Sequence, residues 1–71
     1  MTISQEYFLA IVKEKSIVRA AEKLMITPQN LSNHMRRLEE QYGVLFYRKP
    51  AFRLTPAGEA LLKMLQRISL L

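Results

Sequence analysis

Apolar side chains recur every three or four residues in four segments of this chain, a spacing that places them on one face of an α-helix. The first segment begins at Thr2, whose hydroxyl and Gln5 three residues later fit a capping box. Ser16 marks a break and a potential cap before a short second helix over 18–25. The residues predicted to face inward are Phe8, Leu9, Ile11 and Val12, then Ala20, Ala21 and Leu24, then Leu31, Met35, Leu38 and Tyr42, and finally Ala57, Leu61, Met64, Leu65 and Ile68, with Leu62, Leu70 and Leu71 flanking the last face.

The third helical segment, about 28–42, carries an unusual polar face. Thr27 can cap its start, Pro28 then occupies the first helical position, and Gly43 is predicted to supply a left-handed cap at its end. A solvated helix face usually carries Glu and Lys, whereas this one carries short amides and hydroxyls, followed by arginines. Such groups read base edges and bind phosphates, and we favour that role over an ordinary solvated face. The polar residues in question are Gln29, Asn30, Ser32, Asn33, Arg36 and Arg37.

Two features of this polar face allow a finer prediction. The Asn33 carboxamide has the donor and acceptor needed to bind adenine bidentately through N6 and N7. We expect Arg36, Arg37 or both to contact a phosphate, with pairing to Glu40 on the same helix as the alternative for one of them.

The pattern changes after Gly43, where two β-prone runs, 44–48 and 52–54, flank a short turn. They predict a two-stranded hairpin, which must lean on the helices because an isolated hairpin is marginally stable at best. Lys49 and Arg53 bracket this hairpin, and contact with nucleic acid or simple solubility would explain them equally well. Thr55 then repeats the Thr-Pro helix start before the last helix.

Length and charge limit the classes of function. A chain of 71 residues forms one domain with a modest core, so dimerisation is an expected source of extra stability. Eleven basic residues against six acidic ones give a net charge of +5, and seven of the eleven lie after His34. This imbalance favours a polyanionic partner, either nucleic acid or an anionic membrane surface. The sequence has no Cys, no signal-peptide pattern at its start and no long apolar run, so we expect a soluble cytoplasmic protein that does not enter a membrane.

The residues offer no recognisable catalytic machinery, so we expect no enzyme and no cofactor. The chain has no Cys, no Asp and two glycines, and Glu39 and Glu40 are adjacent on a helix and therefore diverge. His34 lacks a second ligand for a metal and is expected to be exposed or to bind a phosphate. Arg19 on the short helix is expected to pair with an acidic residue of the third helix, such as Glu39.

Helix, short helix, turn, polar-faced helix, hairpin and long helix together predict a mainly α winged helix-turn-helix. We divide it into a DNA-binding domain over 1–54, with a three-helix core and a wing at about 45–54, and a linker and dimerisation helix over 55–71. The chain also resembles the DNA-binding domain of LysR-type bacterial transcriptional regulators over nearly its whole length. The runs that carry this resemblance are Tyr7-Phe8, the segment from Ser16 to Leu24, Leu31-Ser32, the segment from Arg36 to Glu40, Leu45-Phe46, Arg48, and the segment from Leu54 to Gly58.

The resemblance implies sequence-specific binding of double-stranded DNA in transcription regulation. The third helix would enter the major groove, the wing would lie at the minor groove, and the last helix would pair with that of a second subunit. The implied base-edge contacts come from Pro28, Gln29, Ser32 and Asn33, and Arg53 would lie on the wing beside the minor groove or a phosphate. With the residues deduced above, the predicted DNA-binding set is Thr27, Pro28, Gln29, Asn30, Ser32, Asn33, Arg36, Arg37 and Arg53, and the predicted homodimer interface is Leu61, Met64, Leu65 and Ile68.

The sequence also departs from the family pattern. Val18 stands where a Ser or Thr usually caps the second helix, Pro28-Gln29 reverses the more frequent order, and the wing is short. Family members carry a large effector-binding domain after the linker helix, whereas this sequence stops at Leu71, so we expect either a fragment or a small regulator without a small-molecule effector site. The alternative function is a winged-helix module that docks proteins without reading DNA.

Overall fold

The computed structural model describes residues 1–69, except for the side chain of Ser69. Leu70 and Leu71, which are predicted to flank the last helix, lie outside the described residues. The fold is mainly α, as predicted, with a two-stranded antiparallel wing between the third and fourth helices. Within the described part of the chain, no helix combines the length and apolar character needed to cross a membrane. The elements are α1 (Ile3–Glu14), α2 (Ile17–Leu24), α3 (Pro28–Tyr42), β1 (Phe46–Tyr47), β2 (Arg53–Leu54) and α4 (Pro56–Ser69).

The first two helices begin at side-chain caps. Thr2 Oγ1 accepts from the Gln5 backbone N–H at 3.1 Å, and Gln5 Oε1 accepts from the Thr2 backbone N–H at 2.9 Å, which confirms the predicted capping box. Ser16 Oγ accepts from the Arg19 backbone N–H at 3.2 Å, so α2 begins at Ile17 and not at Val18. At its other end, α2 stops one residue earlier than predicted because Met25 adopts the left-handed conformation, with φ 61°.

Both ends of α3 are as predicted, but the conformation of the residue that caps its C-terminal end is not. Thr27 Oγ1 accepts from the Asn30 backbone N–H at 3.0 Å, and Pro28 follows at the first helical position. Gly43 has φ 92° and ψ 176°, so its φ is positive but the residue is not the predicted left-handed cap. Its N–H donates to the Glu39 carbonyl at 2.8 Å and the chain then turns directly into the extended segment that leads to the wing.

The core lies between the inner faces of the helices and the start of the wing. The Phe8 and Phe46 rings pack at a tilt of 38° with centroids 5.4 Å apart, and Phe46 stacks in turn against Phe52 at 5.0 Å. The wing therefore leans on the helices through its aromatic side chains, as a short hairpin must. The buried core residues are Phe8, Ile11, Ala20, Ala21, Leu31, Met35, Leu38, Leu45, Phe46, Leu61 and Leu65.

One cluster of contacts, which we name the wing junction, joins α3, the wing and α4 through Glu39, Val44, Leu45, Thr55 and Gly58. Glu39 Oε2 accepts from the Leu45 N–H at 2.8 Å. Thr55 is only 5% exposed; its backbone N–H donates to the Leu45 carbonyl at 3.0 Å and its hydroxyl donates to the Val44 carbonyl. The Thr55 hydroxyl oxygen also accepts from the Gly58 N–H at 3.0 Å, which confirms Thr55 as the cap of α4. A Cβ at Gly58 would overlap the Leu45 carbonyl, so this close approach requires glycine.

Candidate nucleic-acid interface

The third helix divides cleanly into an inner and an outer face. Leu31, Met35 and Leu38 are buried, and this spacing turns the residues between them away from the core. The outer face is therefore held in place by the packing of the inner one. Of the predicted DNA-binding residues on and before this helix, Ser32 and Asn33 are partly buried, and the exposed ones are Thr27, Pro28, Gln29, Asn30, Arg36 and Arg37.

A hydrogen bond joins two amides at the centre of this outer face. Gln29 Nε2 donates to Asn33 Oδ1 at 3.1 Å, across one helical turn. The two side chains therefore present a connected set of donors and acceptors. The sequence predicted both residues as separate contacts and missed their pairing, although the four-residue spacing was available as a signal.

The structure contradicts the expectation that His34 is simply exposed, whereas a phosphate contact of His34 stays a prediction. Its Nδ1 lies 2.9 Å from Ser4 Oγ, and its ring meets the Tyr7 ring edge-on with centroids 4.9 Å apart. His34 therefore fastens α3 to α1 and is partly buried. His34 is partly buried because it lies on the side of α3 that faces α1. The sequence pattern around His34 does not indicate this neighbouring helix.

The structure gives Glu39 a different partner from Arg19, the residue with which it was expected to pair. The Glu39 carboxylate accepts from the Leu45 N–H in the wing junction, and Arg19 is exposed. Glu39 thus fixes the start of the wing relative to α3.

The wing presents a cation next to an aromatic ring. Tyr47 and Arg53 are paired across the two strands, and the Arg53 guanidinium carbon lies 4.8 Å from the centroid of the Tyr47 ring. A cation at this distance from a ring is attracted by its quadrupole, so the stack restricts the guanidinium. Arg48 and Lys49 are exposed on the same hairpin. Sequence reasoning named Arg53 but missed Tyr47, whose role depends on strand register.

The comparisons with known proteins agree with this geometry. The model of the LysR family of bacterial regulatory helix-turn-helix proteins matches residues 4–59. This chain belongs to that family. The HTH-type transcriptional regulator CysL of Bacillus subtilis is 43% identical over 56 residues, covering 76% of this chain and 19% of CysL. YofA of Bacillus velezensis is 44% identical over 63 residues, covering 86% of this chain and 22% of YofA. The chain thus spans about a fifth of the length of these curated LysR relatives.

Solved structures of the LysR family share the fold. A LysR-family regulator from Eggerthella lenta matches with a TM-score of 0.84 and 40% identity, covering 93% of this chain and 97% of that one. The DNA-binding domain of BenM, solved in complex with catB site 1 DNA, matches with a TM-score of 0.74 and 33% identity, covering 93% of this chain and 77% of that one. These likenesses confirm the predicted winged helix-turn-helix.

The predicted dimer face of this LysR-family chain divides into two pairs. Leu61 and Leu65 are buried within the chain, at 3% and 0% exposure, because α4 packs its inner side against the core. Met64 and Ile68 remain 38% and 46% exposed. The single chain therefore offers Met64 and Ile68 as the exposed apolar side chains of the predicted interface.

Proposed function

We propose that this LysR-family chain binds double-stranded DNA sequence-specifically in bacterial transcription regulation. In this proposal α3 enters the major groove with its N-terminal residues toward the base edges, and the wing lies at the adjacent minor groove. The observation that carries it is the outer face of α3, where amides, a hydroxyl and arginines stand opposite a fully apolar inner face. The BenM DNA-binding domain, which shares this fold, has been solved in complex with DNA, and this supports DNA binding by the chain.

Binding combines contacts to phosphates, which contribute affinity, with contacts to bases, which contribute specificity. Arg36, Arg37 and Arg53 neutralise phosphates, which gives an attraction that depends on salt and is blind to sequence. Gln29 and Asn33, with Asn30 and Ser32 beside them, discriminate bases, and each good bidentate contact contributes about 1–3 kcal/mol of discrimination. We assign no catalytic role to the chain and place its activity in the cytoplasm, where its DNA would be found.

We further propose that the chain acts as a homodimer through α4. Met64 and Ile68 lie four residues apart on α4, so they form one exposed apolar strip. Leu61 and Leu65 support that strip from inside the chain. Pairing two such strips about a two-fold axis would place two α3 helices over the halves of a pseudo-palindromic site.

Selection from random DNA duplexes at about 0.15 M salt tests this function. Enrichment of a motif is the expected result, and two-fold symmetry in it would support the homodimer. A single enriched half-site would contradict the dimer and leave sequence reading intact. Binding without an enriched motif would refute sequence-specific recognition, and absence of binding would favour the protein-docking alternative.

A further inference from the structure

We propose that Gln29 is a positioning residue for Asn33, and that the two amides read one base pair as a single unit. This inference rests on the proposed DNA-binding function and goes beyond it. The observation is the 3.1 Å hydrogen bond from Gln29 Nε2 to Asn33 Oδ1 on the outer face of α3.

The direction of the bond decides what Asn33 can still offer. A carboxamide oxygen has two acceptor sites and its nitrogen has two donor hydrogens. Gln29 occupies one acceptor site of Asn33 Oδ1, which leaves the other acceptor site and both Nδ2 hydrogens available. An adjacent acceptor and donor are what adenine requires, at N6 and N7 respectively. Gln29 therefore selects the amide orientation without using up the reading groups.

The bond also changes the cost of recognition. Ordering a flexible side chain on binding lowers affinity, and a group held in its bound orientation beforehand avoids that loss. Asn33 is partly buried and starts from a defined Cα position on a helix whose inner face is packed. Its side-chain torsions are the remaining freedom, and the hydrogen bond from Gln29 restricts them. Donation to Oδ1 also polarises the amide, which strengthens Nδ2 as a donor.

A double-mutant cycle tests this coupling, with Gln29→Met, Asn33→Ala and the double variant. Methionine keeps the length and helical preference of glutamine but cannot donate the hydrogen bond. Gln41→Met is the matched control, because Gln41 is an exposed glutamine on the same helix outside the proposed interface. Affinities are measured for the enriched duplex, for duplexes with each base pair changed, and for a scrambled duplex.

We expect Gln29→Met to weaken binding to the enriched duplex about two- to tenfold, with little change on the scrambled duplex. Gln29→Met should lose base preference at the same base pair as Asn33→Ala. The affinity of the double variant for the enriched duplex should match that of Asn33→Ala within about twofold. The inference would be overturned if the fold-losses in affinity of the two single variants multiply in the double variant, or if the two variants lose preference at different base pairs. Either result would show that Gln29 and Asn33 read bases independently. A wild-type chain without preference for any duplex would instead refute the proposed function and the inference together.

The free protein provides a second readout that does not involve DNA. In ¹H–¹⁵N spectra, the side-chain amide of Gln29 should shift when Asn33 becomes alanine and should stay in place in the Gln41→Met control. An unchanged Gln29 amide would show that the pair is not formed before binding, and that result would overturn the positioning role.

Discussion

Loss of the Thr55 hydroxyl from the wing junction is expected to destabilise the fold. Thr55→Val keeps the shape of the side chain but removes the hydroxyl that donates to the Val44 carbonyl and accepts from the Gly58 N–H. The Gly58 N–H is buried, and a buried donor left unpaired costs about 1–3 kcal/mol. Adding the lost bond to the partly buried Val44 carbonyl gives a total loss of about 2–4 kcal/mol.

That loss is large for a domain of this size. At about 0.05–0.15 kcal/mol per residue, a chain of 71 residues has a free energy of unfolding of about 4–11 kcal/mol. Urea unfolding followed by far-UV circular dichroism measures the change directly, and the melting temperature should fall by about 10–30 °C. Thr55→Ser keeps the hydroxyl and should lose only about 1 kcal/mol with its methyl group.

An exposed cap gives the comparison that tests the reasoning. Thr2→Val removes a cap of the same kind at the exposed start of α1, where water can replace the lost partner. Its loss should stay near the lower end of the measured range for caps, about 0.5–1 kcal/mol. Equal losses for Thr55→Val and Thr2→Val, or a Thr55→Ser variant as unstable as Thr55→Val, would refute the assignment of the loss to buried hydrogen bonds.

Three further predictions follow from single contacts. Gly58→Ala should lower the free energy of unfolding by about 1–3 kcal/mol, because its Cβ would meet Leu54 Cδ2 at 2.9 Å as well as the Leu45 carbonyl; a stabilised variant in urea titrations would contradict this. Met25→Gly should stabilise the chain by about 0.5–1 kcal/mol, since φ is 61° and the side chain is 91% exposed; a lower melting temperature would count against it. Arg53→Ala should weaken binding to all duplexes and reduce the slope of log affinity against log salt by about 1; an unchanged slope in anisotropy titrations would remove Arg53 from the phosphate contacts.

Local signals made most of the secondary structure predictable. The caps at Thr2, Ser16 and Thr27 act within three residues of themselves, so the sequence alone identifies them. The apolar stripe of Leu31, Met35 and Leu38 likewise identifies both faces of α3. The outer face was therefore predictable in composition, and the structure adds the hydrogen bond within it.

The features that sequence reasoning missed depend on contacts between distant elements. His34 has a polar side chain on a helix with a polar face, so its sequence surroundings suggest exposure. It packs against α1 through contacts with Ser4 and Tyr7, which lie thirty and twenty-seven positions earlier in the chain. Leu61 and Leu65 could serve a dimer or the core equally well by periodicity, and the packing of α4 decides for the core.

The backbone at Gly43 and Gly58 shows the same limit. Glycine after a helix predicts a left-handed cap, but the path into the wing imposes ψ 176° on Gly43. Gly58 belongs to a segment that resembles the family pattern. The reason for a glycine there is the Leu45 carbonyl, which leaves no room for a Cβ, and this contact comes from the tertiary structure.

If the N-terminal outer face of α3 reads base sequence, changing it must alter the preference between duplexes. The measurement compares the affinities of the wild-type chain, Asn33→Ala and the control Lys63→Ala for an enriched duplex and a scrambled one. Asn33→Ala should lose about 1–3 kcal/mol on the enriched duplex and keep its affinity for the scrambled one. Lys63→Ala on α4 should keep the wild-type ratio between the two duplexes. Equal weakening of Asn33→Ala on both duplexes, or an unchanged ratio, would contradict the claim.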